Sequence, residues 1–426
     1  MQKTPNAPNA WIVEMEDAAD VRIWGLTPPQ RQRRLLERAG CVSIRSVSPD
    51  ESVPDPLECE TVMIARADAI CDERLIEGVL AATNAVLVAP RRQGWGGPVA
   101  AHVSAEHAAD VLEMMRRAAS GQTDAADRVL ADGLSDSCMD RSSRLRLVGP
   151  ADVASSYTVK LRKFDPPFIY PARAEAARAV EDRLFESSYK GVTDLITKWL
   201  WPKPAAAVVR VLANTGVKPN TVTVLSWLLT IAAGVLFWKG WFGVGLLCGW
   251  AMTFLDTVDG KLARVTMTSS RIGHVLDHGL DIVHPPIWYL LWGMGLHSGD
   301  YATSQSLYAA TLIVVVGYLV GRALEGAFIL RFKFEMHCWR PIDSLFRTIS
   351  ARRNPNLILL SVGTLGGRPD LGLVMVAIWT VVSIGFHLER LVQALVERSK
   401  GAEIVCWHEA QIATAEGPEA HVGAVR

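Results

Sequence analysis

The distribution of apolar residues divides the chain into two parts of different character. Up to about residue 155 no apolar run is long enough to cross a bilayer, whose hydrocarbon core of about 30 Å needs roughly 20 helical residues. Beyond residue 219, long apolar stretches alternate with short polar loops. They predict six membrane spans, at about 220–238, 241–259, 274–297, 304–331, 355–367 and 371–397. The fifth stretch is short for a complete crossing.

The first part has the pattern of a soluble α/β domain. Short β-branched runs predict buried strands and amphipathic or charged stretches predict helices. The strands fall at 61–65, 84–89 and 145–148, and the helices at 28–39, 72–80 and 105–119. Because strands alternate with helices, we expect a parallel sheet.

The two parts are joined by a segment that mixes lysines with tryptophans, among them Trp199 and Trp201. This composition is typical of amphipathic helices that lie in the membrane interface. We therefore divide the chain into a soluble domain (1–155), a linker with interfacial helices (156–218), an all-α membrane domain of six helices (219–400) and a cytoplasmic tail (401–426).

Loop charges predict the orientation in the membrane. The loops after the second and fourth spans carry nine lysines and arginines, whereas the opposite loops carry only Lys239 and Arg368. Basic loops remain cytoplasmic, so both termini are expected there, in a bacterial inner membrane.

The formal net charge of zero gives no reason to expect nucleic acid as a partner. Seven cysteines without a Cys-x2-Cys pair favour a reducing compartment.

Four aspartates stand close together within the membrane part. Asp256 and Asp259 share one helical stripe with Gly260, Ala263 and Arg264, and Gly273, Asp277 and Asp281 form a second stripe with steps of four. Carboxylates at membrane depth are costly, and hard divalent cations prefer carboxylate oxygen. Two facing helices would thus present a metal site. An arginine one turn away could hold a phosphate by a two-pronged hydrogen bond.

This pattern, Asp-x2-Asp-Gly-x2-Ala-Arg-x8-Gly-x3-Asp-x3-Asp, resembles the signature of the CDP-alcohol phosphotransferase (CDP-alcohol phosphatidyltransferase) family at every defining position. The resemblance implies an enzyme in which an acceptor hydroxyl attacks the substituted phosphate of a CDP-alcohol and releases CMP. Such an enzyme would serve phospholipid or polyol-phosphodiester biosynthesis as a homodimer in the lipid bilayer.

The resemblance also assigns roles to the residues. Asp256, Asp259, Asp277 and Asp281 are expected to bind two Mg²⁺ ions, with Mn²⁺ as a substitute, and Asp281 is the expected general base. Gly260, Ala263, Arg264 and Gly273 are expected to surround the cytidine diphosphate.

Upstream, the segment from Lys218 to Thr223 resembles the start of the first span in this family. Asn220 and Thr223 are therefore candidate nucleotide ligands, although proline and asparagine also suit an ordinary helix start. His274 and His278 flank the aspartates four residues apart. Since magnesium does not favour imidazole, we expect support or packing from these histidines rather than ligation.

The acceptor site is expected among basic residues between the fourth and fifth spans, because family members with a phosphorylated acceptor bind it there. The candidates are Arg340, Arg347, Arg352 and Arg353. Topology-setting loop charge is the alternative for each arginine. Arg322 and Glu325, three apart in the fourth span, are expected to form an ion pair.

The first part resembles the nucleotidyltransferase domain of bifunctional inositol-phosphate cytidylyltransferase / di-myo-inositol phosphate phosphate synthases. Thr61 to Asp68 resembles a strand that ends in a metal-binding aspartate. The glycine-rich phosphate loop and the Pro-Lys of those enzymes are missing, so we expect a degenerate, catalytically silent domain. Arg91, Arg92 and the turn at 94–97 are a residual anion site or a surface loop.

A transporter or channel that uses intramembrane aspartates is the alternative function. The six stretches show no convincing internal repeat of the kind common in transporters.

Overall fold

The structure is a computed structural model of the 426-residue chain. It describes residues 8–15, 21–48, 51, 60–92, 95–119, 145–269, 271–297 and 305–409, without the side chains of 92, 271–278, 280, 281 and 305. The chain divides into two compact units. The first comprises Met1–Thr158, Asp165–Ser187 and Val265–Met267, and the second comprises Val159–Phe164, Ser188–Arg264 and Thr268–Arg426.

The first unit is a mixed α/β domain. Its strands are β1 (Asn9–Val13), β2 (Ile44–Val47), β3 (Thr61–Arg66), β4 (Ala69–Cys71), β5 (Ala85–Arg92), β6 (Trp95–Ser104), β7 (Arg146–Val148), β8 (Tyr157–Thr158) and β10 (Ile169–Pro171); β9 (Lys163–Phe164) belongs to the second unit. Its helices are α1 (Pro28–Ala39), α2 (Glu73–Leu80), α3 (Ala108–Ala119), the short α4 (Pro150–Val153) and α5 (Ala177–Ser187). The strands and helices that the sequence predicts are confirmed as β3, β5, β7, α1, α2 and α3.

The main sheet has the order β2-β1-β3-β6-β5-β7. β1 pairs in parallel with β2 and β3, and β5 with β7, whereas β6 is antiparallel to both β3 and β5. The expectation of a parallel sheet is therefore wrong for β6. β5 ends at Arg92 and β6 begins at Trp95, and so short a connection can only make a hairpin.

Both faces of this sheet are buried. Ala10 and Ile12 of β1 belong to one hydrophobic cluster, whereas Trp11 and Val13 belong to the cluster on the opposite face. Side chains alternate between the faces of a strand, and a continuous apolar run is therefore what a doubly covered sheet requires. α1 shows how local signals set the bounds: Pro28 occupies its first turn, and Gly40 ends it with a φ of 99°.

The second unit is helical. It contains a π-helical turn (Ile196–Leu200), α6 (Pro202–Thr215), α7 (Pro219–Trp238), α8 (Phe242–Val265, whose last residue falls in the first unit), α9 (Arg271–His297), α10 (Gln305–Phe332), a 3-10 turn (Met336–Cys338), α11 (Pro341–Ile349), α12 (Arg353–Leu365) and α13 (Pro369–Ser399). A helix thus occurs at each of the six predicted spans. Residues 404–407 of the predicted tail also pack, since Ile404 joins a buried cluster and Trp407 Nε1 donates to Ser344 Oγ at 3.0 Å.

Three helices among the described residues are long and apolar enough to cross a membrane: Pro219–Trp238, Ser306–Phe332 and Pro369–Ser399. α12 has 13 residues and, at about 1.5 Å per residue, falls well short of the hydrocarbon thickness. α8 carries the charged motif in its second half. The number of spans therefore stays a prediction beyond these three.

Glycines allow close packing inside the second unit. A Cβ on Gly295 of α9 would lie 1.9 Å from the Phe237 carbonyl oxygen of α7, and a Cβ on Gly363 of α12 would lie 2.6 Å from the backbone of Gly372. Trp288 Nε1 of α9 also donates to the Thr230 carbonyl of α7 at 2.9 Å. α7 and α9 are thus held in direct contact.

Candidate active site

The five motif residues from Asp256 to Arg264 lie on α8, which is continuous from Phe242 to Val265. Positions i, i+3, i+4, i+7 and i+8 of one helix share a face, so the predicted stripe is confirmed as a geometric feature. Asp259 is buried, and Asp256 lies half-buried one turn before it. Carboxylate oxygens in this arrangement suit a hard divalent cation.

Thr223 connects α7 to this stripe. Its Oγ1 donates to Asp259 Oδ2 at 2.7 Å and contacts the Pro219 carbonyl oxygen at 3.2 Å. α7 begins at Pro219, with Asn220 exposed in its first turn. The helix-start interpretation therefore holds for this segment, and Thr223 in addition contacts a candidate metal ligand. A nucleotide contact of either residue stays a prediction.

Gly260 provides space for Arg264. A Cβ on Gly260 would lie 3.1 Å from Arg264 Nη2, so the guanidinium runs back along α8 over the glycine. This conformation brings the positive charge toward the Asp259 turn of the helix. The small residue and the arginine of the motif thus act as a pair.

Lys261, a position that the motif leaves open, is buried beside this stripe. Its Nζ donates to the Ser188 carbonyl at 3.0 Å and lies 3.3 Å from the centre of the Tyr189 ring. These contacts fasten the segment before the π-helical turn onto α8. Nothing in the sequence predicts this contact, because the spacing of a lone lysine does not identify a partner some 70 residues earlier in the chain.

The second aspartate stripe lies on α9. Gly273, Asp277 and Asp281 share one continuous helix, which confirms that they stand on one face. Their side chains, and those of His274 and His278, lie outside the described atoms. The roles proposed for these five residues stay predictions.

The four candidate acceptor arginines separate in the structure. Arg340 pairs with Glu397, Arg352 pairs with Glu325, and Arg353 Nη2 lies 2.5 Å from Asp256 Oδ2. Arg347 is more than half buried and its Nη1 has no hydrogen-bond partner among the described residues. Burial and the nearby Arg352 lower the pKa of Arg347 to about 9. The four arginines therefore contact different partners, and Arg347 lies near Arg352.

Glu325 is the centre of a buried polar cluster. It pairs with Arg322, as predicted, and with Arg352, and it lies 3.3 Å from His337 Nε2. The ligand atoms of Glu325, His337 and His387 lie within 4.8 Å of one another, a spacing that a metal ion could bridge. Two arginines already neutralise the carboxylate, however, and would repel a cation. The cluster is better suited to an anion.

A small, partly open cavity adjoins this cluster. Two cationic side chains, Arg322 and Arg352, line it together with hydroxyl, amide and imidazole groups from Tyr289, Tyr318, Ser350, Asn356, Thr380, Ser383 and His387. Both ring nitrogens of His387 are buried and have no hydrogen-bond partner in the part of the chain that the structure describes. The cavity thus combines positive charge with many polar groups, a lining whose chemistry suits an anion.

In the first unit, Asp68 is engaged by an arginine. Arg66 Nε and Nη2 bind its two carboxylate oxygens at 2.9 and 2.7 Å, and Trp95 Nε1 donates at 2.7 Å. A metal ion would have to displace this bidentate pair.

Trp95 to Gly97, part of the predicted turn, are instead the first residues of β6, and a Cβ on Gly96 would lie 2.8 Å from the Arg91 Cα. Residues 93–94 and the Arg92 side chain lie outside the described atoms.

Comparisons with known proteins match part of the second unit to a family. Residues 217–351 match the CDP-alcohol phosphatidyltransferase family. This segment, which contains both aspartate stripes, is therefore a CDP-alcohol phosphatidyltransferase domain, as the motif predicts. The match begins after the strands of the first unit, whose resemblance to nucleotidyltransferases stays a prediction.

The relatives are lipid synthases. The phosphatidylinositol phosphate synthase of Mycobacterium tuberculosis (strain H37Rv) is 31% identical over 124 residues, which cover 27% of this chain and 55% of the relative. The archaetidylinositol phosphate synthase of Pyrococcus horikoshii is 34% identical over 82 residues, 18% of this chain and 42% of the relative. The chain thus spans about half the length of the curated relatives it matches. These comparisons give no support to a transporter.

Among solved structures, the chain is similar to a crystal structure of Mycobacterium tuberculosis phosphatidylinositol phosphate synthase with CDP-DAG bound. The sequence identity is 20% and the TM-score 0.36, over 44% of this chain and 94% of the other.

Proposed function

We propose that the protein is an integral-membrane phosphotransferase that moves the substituted phosphate of a CDP-alcohol to an acceptor hydroxyl and releases CMP, in phospholipid biosynthesis. The observation that carries this proposal is the complete stripe from Asp256 to Arg264 on one face of α8, within the segment that matches the family. The hydrogen bond from Thr223 holds the central carboxylate of that stripe in place.

The donor would lie along α8. Arg264, directed over Gly260, can bind the diphosphate of the donor, and Ala263 leaves room beside it. Asp256 and Asp259, with Asp277 and Asp281 of α9, would hold two Mg²⁺ ions, or Mn²⁺ in their place. Such ions, when bound, neutralise the diphosphate and the departing CMP.

Asp281 would act as the general base. In the transfer, the acceptor oxygen forms a bond to the substituted phosphorus while the bond from phosphorus to the CMP oxygen breaks. The hydroxyl proton passes to the carboxylate, and the electron pair of the broken bond leaves with CMP. This role of Asp281 requires that its part of α9 face α8.

The acceptor proposed is a phosphorylated polyol, an inositol phosphate in particular. The cavity beside Glu325 offers Arg322 and Arg352 to a phosphate, and its hydroxyl and amide groups to the ring hydroxyls. The relatives are named as synthases of inositol phosphate lipids, which agrees with this chemistry. Arg347, which lies near Arg352, would add positive charge.

We further propose that the domain crosses the membrane six times as a homodimer in a bacterial inner membrane, with the site on the cytoplasmic side. Trp199, Leu200 and Val211 are exposed beside Lys203 and Arg210, which supports an interfacial location for the π-helical turn and α6. The first unit would be a silent scaffold, because its candidate metal carboxylate, Asp68, is bound by Arg66.

The decisive experiment measures CMP release by the purified full-length protein with Mg²⁺. CDP-diacylglycerol is offered with inositol phosphate, inositol, glycerol 3-phosphate or serine as acceptor. We expect release with inositol phosphate, and a loss of about 10³-fold in Asp281→Asn. Asp370→Asn, which changes an aspartate that pairs with the exposed Arg368 outside the proposed site, is the matched control. Absence of CMP release with every acceptor would refute the proposal, whereas release with another acceptor would refute only the substrate.

A further inference from the structure

The first residues of α12 connect four other parts of the second unit. Each of four side chains binds a different element: Arg352 binds Glu325 of α10, Arg353 binds Asp256 of α8, Asn354 binds Asp194 before the π-helical turn, and Asn356 binds Tyr289 of α9. Two of these contacts are amide hydrogen bonds of 2.8 Å. The start of α12 is therefore a junction between the metal-site helices and the cavity.

Arg353 reaches the metal site from outside the matched segment, which ends at residue 351. Its Nη2 lies 2.5 Å from Asp256 Oδ2, and its Nη1 lies 3.8 Å from Met252 Sδ, one turn earlier on α8. The side chains of Arg353 and Asp256 are 17% and 15% exposed. Because the pair is largely removed from water, its attraction is screened little.

Two physical effects of such an arginine oppose each other. A hydrogen bond to one oxygen of a ligating carboxylate fixes its orientation, and loss of such partners commonly weakens metal binding about 10- to 100-fold. The positive charge, in contrast, repels the metal ion and should weaken its binding. Removing the arginine therefore distinguishes the two effects by the sign of the change.

Arg352, the preceding residue, lines the cavity and is the N-cap of α12. An anion in the cavity would neutralise Arg352 and so lower the positive potential around its neighbour Arg353 and around Asp256. This arrangement provides a direct electrostatic connection between the cavity and the metal carboxylate.

We propose that Arg353 is a positioning residue that holds the Asp256 carboxylate for metal binding, and that Arg352 couples occupancy of the cavity to that metal site. The inference deepens the proposed function and depends on its assignment of Asp256 as a metal ligand. It names a role for two arginines that the aspartate motif does not include.

The test is Mn²⁺ binding to the full-length protein in lipid nanodiscs, without substrates, followed by electron paramagnetic resonance. We expect Arg353→Gln to weaken Mn²⁺ binding about tenfold and Arg353→Lys, which keeps the charge but loses the planar fork, to fall between the two. Arg368→Gln, which changes an exposed arginine paired with Asp370, is the matched control and should bind Mn²⁺ as the wild type does. Unchanged or tighter binding in Arg353→Gln would overturn the positioning role.

Coupling is tested in the same assay with sulfate as the anion and chloride at equal ionic strength as the reference. Sulfate should tighten Mn²⁺ binding about fivefold in the wild type and should have no effect in Arg352→Gln. The coupling would be overturned if sulfate did not change the Mn²⁺ affinity of the wild type, or if it changed the affinity of both proteins equally. Thermal unfolding confirms that each variant is folded, and Arg353→Lys remains as a charge-conserving comparison should Arg353→Gln be unstable.

The assay is independent of catalysis. A wild type that binds Mn²⁺ in an Arg353-dependent way but releases no CMP would refute the proposed function and leave the positioning role intact. If the protein releases CMP but its Mn²⁺ affinity does not depend on Arg353, the proposed function stands and the positioning role is refuted.

Discussion

Thr223 Oγ1 donates a hydrogen bond of 2.7 Å to Asp259 Oδ2, and this bond joins the first turn of α7 to the aspartate stripe of α8. Both side chains are buried, so the hydroxyl is a principal source of solvation for the carboxylate on that side. A hydrogen bond to a charged group contributes about 1.5–3 kcal/mol. The segment from Pro219 to Thr223 thus supports the site through a carboxylate as well as by starting a helix.

Replacing Thr223 by valine should lower kcat/KM for CMP release about 10- to 100-fold, because Asp259 loses its donor while the shape of the side chain is kept. Thr223→Ser keeps the hydroxyl and should retain most of the activity. Steady-state kinetics with varied Mg²⁺ would show the defect in Thr223→Val as a higher metal requirement. Equal activity in the valine and serine variants would contradict the role of the hydroxyl.

Replacing Gly260 by alanine should raise the KM for the CDP-alcohol about tenfold with a smaller change in kcat. The added Cβ would stand 3.1 Å from Arg264 Nη2 and push the guanidinium away from its position over α8. Gly243→Ala is the matched control on the same helix, since its Cβ would meet nothing within 4 Å. If both alanine variants behave alike in the kinetic assay, Gly260 does not act through Arg264.

Acid should destabilise the second unit through His337. Burial lowers the pKa of His337 to about 3, below its ordinary value of 6.5, so the folded protein holds this ring neutral. The contribution of the neutral His337 ring to the free energy of unfolding is complete above pH 6.5. It is lost as the pH falls from 6.5 toward 3, because the unfolded chain then binds the proton more readily than the folded protein does. At pH 5 the loss amounts to about 2 kcal/mol.

Thermal unfolding of wild type and His337→Gln between pH 7 and 5 measures this effect. We expect the Tm of the wild type to fall more steeply with acid than the Tm of the variant. Parallel curves would mean that other groups determine the acid response.

The first unit should release no diphosphate from CTP with inositol 1-phosphate and Mg²⁺. Arg66 binds both oxygens of Asp68, with its own side chain 1% exposed, so the carboxylate carries no uncompensated charge for a metal ion. A coupled diphosphate assay on the full-length protein measures this directly, with an active cytidylyltransferase as the positive control. Diphosphate release that Asp281→Asn does not affect would show that the first unit is active.

Local signals were sufficient for much of the fold. Pro28 and Gly40 place α1 at its observed bounds, because proline suits the first turn of a helix and glycine adopts the positive φ that ends one. The spacing of Asp256, Asp259 and Arg264 places them on one face of α8, since helical periodicity alone determines which residues share a face. The ion pair between Arg322 and Glu325 was likewise predictable from their separation of three residues.

Other features depend on contacts that residue order does not record. β6 runs antiparallel to β3 and β5. Only two residues separate β5 from β6, although the composition of the first residues of β6 would also suit a loop. Arg352 and Arg353 are adjacent and chemically identical, yet one binds Glu325 of α10 and the other Asp256 of α8. Successive residues of a helix point in different directions, and only the positions of the neighbouring helices decide what each one meets.

The sequence by itself therefore determined the helices and the stripe of carboxylates, because these follow from periodicity and residue type over short distances. The class of chemistry came from the resemblance of the motif to a known family. The tertiary structure alone decided that Lys261 is fastened to Ser188, that Thr223 supports Asp259, and that Arg322 and Arg352 meet around a cavity. The physical reason is that a buried charge takes its partner from whichever element packs against it, and that packing is a property of the whole domain.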